Sequence, residues 1–327
     1  MWEAGKSKER RKPVLIVQHA LHEHPAALRR ALESQGIQTL WLHPYRGETY
    51  PNVDDIAGMV SMGGPMGAND EHEHPWIKRE VELLRQAVMA GLPVAGICLG
   101  GQMMARAMGG RVENNPTHEL GWFPIQVTDE GKKDPILGAA GSQPTVYHWH
   151  GDTFHLPENA VLLAHSRACP RQAYRIGERA YGFQFHPEAD HQLVNEWLDE
   201  NGVEDEINET QRRYGVETVQ DARTQRDRAL KGERASVKIT AGIAALFRRM
   251  GCRGHNQASK AQLERWATHQ TLLDIGFEGP DRQIVRLRGR ISTVLTITAG
   301  VFVIFREENA LLWPIRRTDL AEIKPAE

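Results

Sequence analysis

The chain has 327 residues, 40% hydrophobic and 25% charged, which suits a globular protein of two ordinary domains or one domain with a large appendage. No apolar run approaches the ~20 residues that span a bilayer, and three scattered cysteines exclude a disulfide framework. The net charge of −2 conceals one basic stretch, 223–290, where 15 Lys and Arg stand against 6 Asp and Glu.

Residues 1–12 form a charged tail without the apolar segment of a secretory signal, so a cytoplasmic protein is expected. From Pro13 onward, strand and helix patterns alternate. VLIVQHA (14–20), IQTLWL (37–42), IAGMVSM (56–62) and LPVAGI (92–97) read as strands, while PAALRRALESQG (25–36) and PWIKREVELLRQAVMAG (75–91) have helical spacing. This alternation predicts an α/β fold, a parallel sheet covered on both faces, with ligands at the carboxyl ends of its strands.

After Gly110 the segments shorten. RVENNP, LGWFPIQVT, PTVYHWH, NAVLLAHS, RQAYRIG and RAYGFQFH are punctuated by Gly, Pro and Asn, which predicts a meandering, partly antiparallel extension. Helix returns at ADHQLVNEWLDENG (189–202), and the charged stretch 203–250 reads as helices docking on the core, 13–200, to complete a domain of residues 13–250. GCRGHNQASK (251–260) reads as a linker to a small β-rich domain, 261–327. That domain is expected to open with a short helix over 261–276 and to continue with strands RQIVRLRGRIS, TVLTITA, GVFVIFREE and ALLWPIRR, the last two joined by a turn at Glu308 and Asn309.

The segment GICLG, 96–100, places Cys98 on a tight strand-to-helix corner. A reactive side chain on such a turn is exposed at the sheet edge, glycines make room for adjacent backbone, and the N-terminal amides of the next helix favour a thiolate. Taken alone, the corner fits either a nucleophile or a small buried cysteine. A cysteine nucleophile needs a base and a group to orient it. YGFQFHPEAD (181–190) offers both, because His186 and Glu188, two apart at a strand end, share a face. MVSMGGPMGAND (59–70) adds a strand ending in glycines, whose free amides suit an oxyanion.

GICLGGQ with a downstream FHPE and an upstream GGPM resembles the class I glutamine amidotransferases, the Cys-His-Glu glutaminases. HELGW (118–122), YHWHGDTF (147–154) and SRACPRQAYRIGERAYGFQFHPE (166–188) extend the likeness to the glutaminase domain of GMP synthetase and its stand-alone relatives. The resemblance implies a flavodoxin-like, doubly wound and mostly parallel sheet with an antiparallel extension. It implies Cys98 as nucleophile, His186 as general base and acid, and Glu188 as orienting carboxylate. The amides of Leu99 and Gly64 would form the oxyanion hole; Gln102 and the backbone at Gly151 and Asp152 would hold glutamine. Met66 stands where several relatives have glycine and receives no contact.

The remaining features are set aside. The His and Glu clusters at 22–24 and 70–75 lack a spacing that places ligands on one helical face, so no metal is expected. His148 and His150 fit either the pocket wall or structural imidazoles near the sheet edge, and Cys169 and Cys252 are read as unreactive. His19 and Glu23 match positions in the stand-alone relatives without a derivable role. The basic stretch lacks aromatic interleaving and reads as a solvated surface, which argues against a nucleic-acid partner, and no glycine-rich nucleotide loop is present. No cofactor is expected. Three functions fit: ammonia delivery from glutamine to a separate synthetase subunit, hydrolysis of γ-glutamyl amides, or a non-catalytic binding module.

Overall fold

The structure, a computed structural model, describes residues 12–249 and five strands between 272 and 325. The chain divides into two compact units, 1–253 and 254–327. In chain order the first unit runs β1 (Val14–Val17), α1 (Ala26–Ser34), β2 (Thr39–Leu42), β3 (Gly58–Ser61), α2 (Trp76–Met89), β4 (Val94–Ile97) and α3 (Leu99–Ala107). It continues through β5 (Val112–Pro124), β6 (Gln126–Val127), α4 (Asp129–Lys133), β7 (Thr145–Phe154), β8 (Ala160–His165), β9 (Ala173–Ile176) and β10 (Ala180–Phe183). Three helices close it: α5 (His191–Leu198), α6 (Val203–Tyr214) and α7 (Ala222–Arg249).

Eight strands form the central sheet in the order β2-β1-β3-β4-β10-β9-β8-β6. The first five are parallel and the last three antiparallel, giving the flavodoxin-like sheet with its extension. The order reverses between β1 and β3, the switch point at which such sheets open a crevice beyond their carboxyl ends.

Both faces of the parallel strands are covered, which explains their continuous apolar runs. Val14 and Ile16 of β1 face one core with Leu28 of α1 and Ile239, Ile243 and Phe247 of α7. Leu15 and Val17 face the other, with Leu84 of α2 and Met103 of α3. Thus α7 is part of the first core, while its Arg223, Arg228, Lys231, Arg234 and Lys238 are exposed. A third cluster joins Trp122 and Tyr147 to α5 and α6.

RVENNP and the start of LGWFPIQVT belong to one strand, β5, instead of two. It pairs with β7 as a two-stranded ribbon, and a register shift between Asn114 and Glu119 accommodates Pro116. Among the described residues, no helix is long and apolar enough to cross a membrane.

The second unit has β11 (Leu272–Glu278), β12 (Ile284–Ile297), β13 (Gly300–Glu307), β14 (Leu312–Arg316) and β15 (Leu320–Pro325). They form one antiparallel sheet ordered β14-β13-β12-β11-β15. Residues 272–276, expected as the end of a helix, are strand because they pair with β12 from Leu272↔Arg290 onward; ladder pairing overrides local helical spacing. The two strands expected across 282–299 are one, with an irregularity between Ile291 and Thr293, and β15 was not anticipated. The linker 251–260, Cys252, and the turn at Glu308 and Asn309 lie outside the described residues.

Candidate active site

Cys98 ends β4 and caps α3 with φ 48° and ψ −109°, a left-handed φ that an L side chain adopts only under strain. Local packing enforces it. The Cys98 amide donates to Phe183 O at 2.7 Å, fixing the corner to β10, and the Gly100 amide donates to Met62 O at 3.0 Å. A Cβ on Gly100 would collide with Ser61 O, so α3 can begin against β3 only with glycine there. Cys98 is 7% exposed and lines a cavity of about 480 Å³.

His186 follows β10 and is held by its own amide, which donates to Tyr147 O at 2.8 Å. Its Nδ1 lies 2.8 Å from Glu188 Oε1, and both side chains are buried. With Nδ1 donating to the carboxylate, Nε2 is left for the thiol. Burial opposes the imidazolium, but the charge of Glu188 and the neighbouring Cys98 sulfur outweigh it, and the His186 pKa is raised well above its ordinary value. Trp197 of α5 packs edge-on against the ring, with centroids 5.1 Å apart.

Gly64 and Leu99 line the same cavity as Cys98, and a Cβ on Gly64 would stand 2.8 Å from Leu99 Cδ2. Gln102 lines it too, and its Nε2 donates to Gln184 Oε1 at 3.3 Å, while Gln184 Nε2 reaches Cys98 Sγ at 3.8 Å. Gly151 and Asp152, on β7, form part of the wall, with Asp152 Oδ1 accepting from Asn114 Nδ2 at 2.7 Å. All eight residues singled out from sequence therefore meet at one cavity or, for Glu188, directly behind it.

The structure also shows what the sequence reading left without a role. His19 lies 2.9 Å from Gly63 O and 3.0 Å from Glu80, whose carboxylate also accepts from Ser61 and Tyr50 at 2.6 Å. This buried network anchors the Gly63 and Gly64 loop to α2. Burial disfavours both charges, yet each supports the other: His19 is raised and Glu80 lowered. Gln184 could have been found, since it lies two residues before His186, in the segment that leaves β10 toward the site.

His150 lines the cavity, whereas His148 is fully buried, the structural alternative of the two readings. Burial lowers His148 to about 4, leaving it neutral near pH 7. Cys169 is buried as well, its thiol pushed up by desolvation. Among the described residues two groups bring three ligating atoms within 4.8 Å: Glu119, His148 and His150, and Glu23, His186 and Glu188. Glu119 is engaged by Ser166 Oγ at 2.7 Å and Gln172 Nε2 at 2.5 Å, so its oxygens already serve a network joining β5, β7 and the loop before β9. His22 and His24 pair with Glu200 and Glu196 at 2.9 and 2.8 Å.

The family model for the class I glutamine amidotransferases matches residues 24–204. The chain belongs to that family. It is 38% identical over 179 residues to YfeJ, a glutamine amidotransferase-like protein of Salmonella typhimurium, covering 54% of this chain and 75% of the relative. It is 31% identical to one subunit of the glutamine-hydrolyzing GMP synthase from Natronomonas pharaonis, covering 53% of this chain and 86% of that relative. It spans only 34% of the GMP synthase of Cellvibrio japonicus, at 30% identity and over 50% of this chain. Among solved amidotransferase structures, that from Methylobacillus flagellatus covers 73% of this chain and 95% of its own, with a TM-score of 0.65 and 30% identity.

Proposed function

We propose that this amidotransferase hydrolyses glutamine through a glutamyl thioester on Cys98. The observation that carries the reading is the strained Cys98 corner, set beside a buried His186 whose Nδ1 is held by Glu188. The Cys98 sulfur attacks the side-chain amide carbon, and the amides of Gly64 and Leu99 donate to the oxyanion. His186 gives its proton to the departing ammonia, then takes one from the water that hydrolyses the thioester to glutamate. Glu188 holds the imidazole throughout; Gln102 and the backbone at Gly151 and Asp152 hold the substrate. Residues 13–250 form this glutaminase domain, 251–260 the linker and 261–327 a separate β-rich domain.

The match to one component of a multi-chain synthase supports a separate synthetase as the ammonia acceptor. A second reading, hydrolysis of γ-glutamyl amides, is favoured by the cavity itself, which extends past Cys98 to His22, Trp197, Glu200, Val203 and Glu206 and leaves room for a larger leaving amine. Both readings are tested by incubating the full chain with glutamine and a series of γ-glutamyl amides and measuring glutamate. Release that disappears in Cys98→Ala is expected; release that persists there removes Cys98 as nucleophile. Steady turnover of the larger amides without a partner selects the second reading.

A further inference from the structure

Glu23, in the loop between β1 and α1, is a carboxylate the mechanism above does not use. Its side chain lines the cavity, yet its Oε2 is buried and lacks a hydrogen-bond partner, a costly state for such a group. Gly63 admits it: a Cβ there would stand 2.5 Å from Glu23 Oε2 and 2.9 Å from His186 Cε1. Ligating atoms of Glu23, His186 and Glu188 all lie within 4.8 Å of one another.

The loop is tied down on both sides of this residue. His22 and His24 are bonded to Glu200 and Glu196, and the Ala27 amide donates to Glu188 O at 3.1 Å. The scaffold that carries Glu188 thus also places Glu23. We propose that Glu23 is a second carboxylate of the His186 imidazole, a positioning residue that acts with Glu188 to hold the imidazolium beside Cys98. The proposal rests on the Cys98 and His186 assignments above.

Other ionisable groups face this cluster. His19 and His22 lie on Glu23's own loop and Tyr147 on β7; His186 is faced in addition by Cys98 and, from β7, by His148. Burial holds Tyr147 un-ionised and His148 neutral near pH 7. For Glu23, burial and the charge of Glu188 raise the pKa, while His186 opposes that rise. Its charge therefore develops above the ordinary carboxyl range, with imidazolium as its counter-ion. The sign for His186 follows, because a carboxylate beside the ring favours its protonated form and a neutral amide does not.

The test is NMR titration of the His186 Cε1–H signal in the full chain, assigned by its loss in His186→Asn. In Glu23→Gln the midpoint is expected to fall by roughly one pH unit or more, as for loss of an opposite charge at this range. Glu23→Asp, which keeps the charge, should return it toward the wild-type value, whereas a purely structural role would move both variants alike. Should Glu23→Gln not fold, Glu23→Ala carries the same expectation. An unmoved midpoint in a folded neutral variant overturns the proposal. Labelling of wild-type Cys98 by an electrophilic glutamine analogue, run on the same samples, separates that failure from failure of the catalytic reading.

Discussion

Cys98, His186 and Glu188, the proposed triad, each lie in a short local pattern, a glycine corner and an i, i+2 pair, which is why sequence alone could nominate them. Glu80 and Glu119 could not be found that way. Their partners, His19 and Ser166, are 61 and 47 residues distant, and the contacts exist only once the sheet is assembled. The same geometry sets the consequences of substitution. Glu188→Gln removes the charge that holds His186, and kcat is expected to fall by roughly 10² to 10⁴ with a smaller change in KM, measured by glutamate release. Glu80→Ala strands His19 in the core; breaking a buried pair of this kind costs about 3–5 kcal/mol, readable by denaturant unfolding.

At the scale of elements, the parallel strands were legible because burial on both faces leaves an unbroken apolar run, as in Val14–Val17. The β5 ribbon and β12 were not, since a register shift lets one strand continue across residues that look like a break. The segment 272–276 misled for a related reason: its spacing suits a helix, but its partner strand decides. Helix α7 gives a direct check on how closely it belongs to the core. Phe247 is fully buried against the β1 face, so Phe247→Ala should destabilise the first unit by about 3–5 kcal/mol. A loss below about 1 kcal/mol in urea unfolding would show α7 to be an appendage.

For the molecule as a whole, burial in one polar network links stability to pH. Burial pushes Glu119 up, but the charges of His148 and His150 and the Ser166 hydrogen bond prevail and hold it at about 2. Above about pH 4 His148 is neutral, so His150 and Ser166 carry the effect there. A carboxyl depressed from 4.5 contributes stability that is complete above that pH and is lost as pH falls toward 2. Unfolding midpoints are therefore expected to drop across this window, less steeply in Glu119→Gln; identical slopes would rule out Glu119 as the cause. The fold class of the first unit was readable from the alternation of strands and helices. The pairing order of the C-terminal sheet was not, because antiparallel strands of similar composition do not encode their neighbours in local spacing.

Everything proposed for the site depends on Cys98 forming the covalent intermediate. Its most direct test is peptide mapping by mass spectrometry after brief incubation of the full chain with an electrophilic glutamine analogue. One analogue-derived adduct is expected, on the peptide containing Cys98, prevented by excess glutamine and absent in Cys98→Ala. An adduct on Cys169 or Cys252 instead, or none at all, would contradict it.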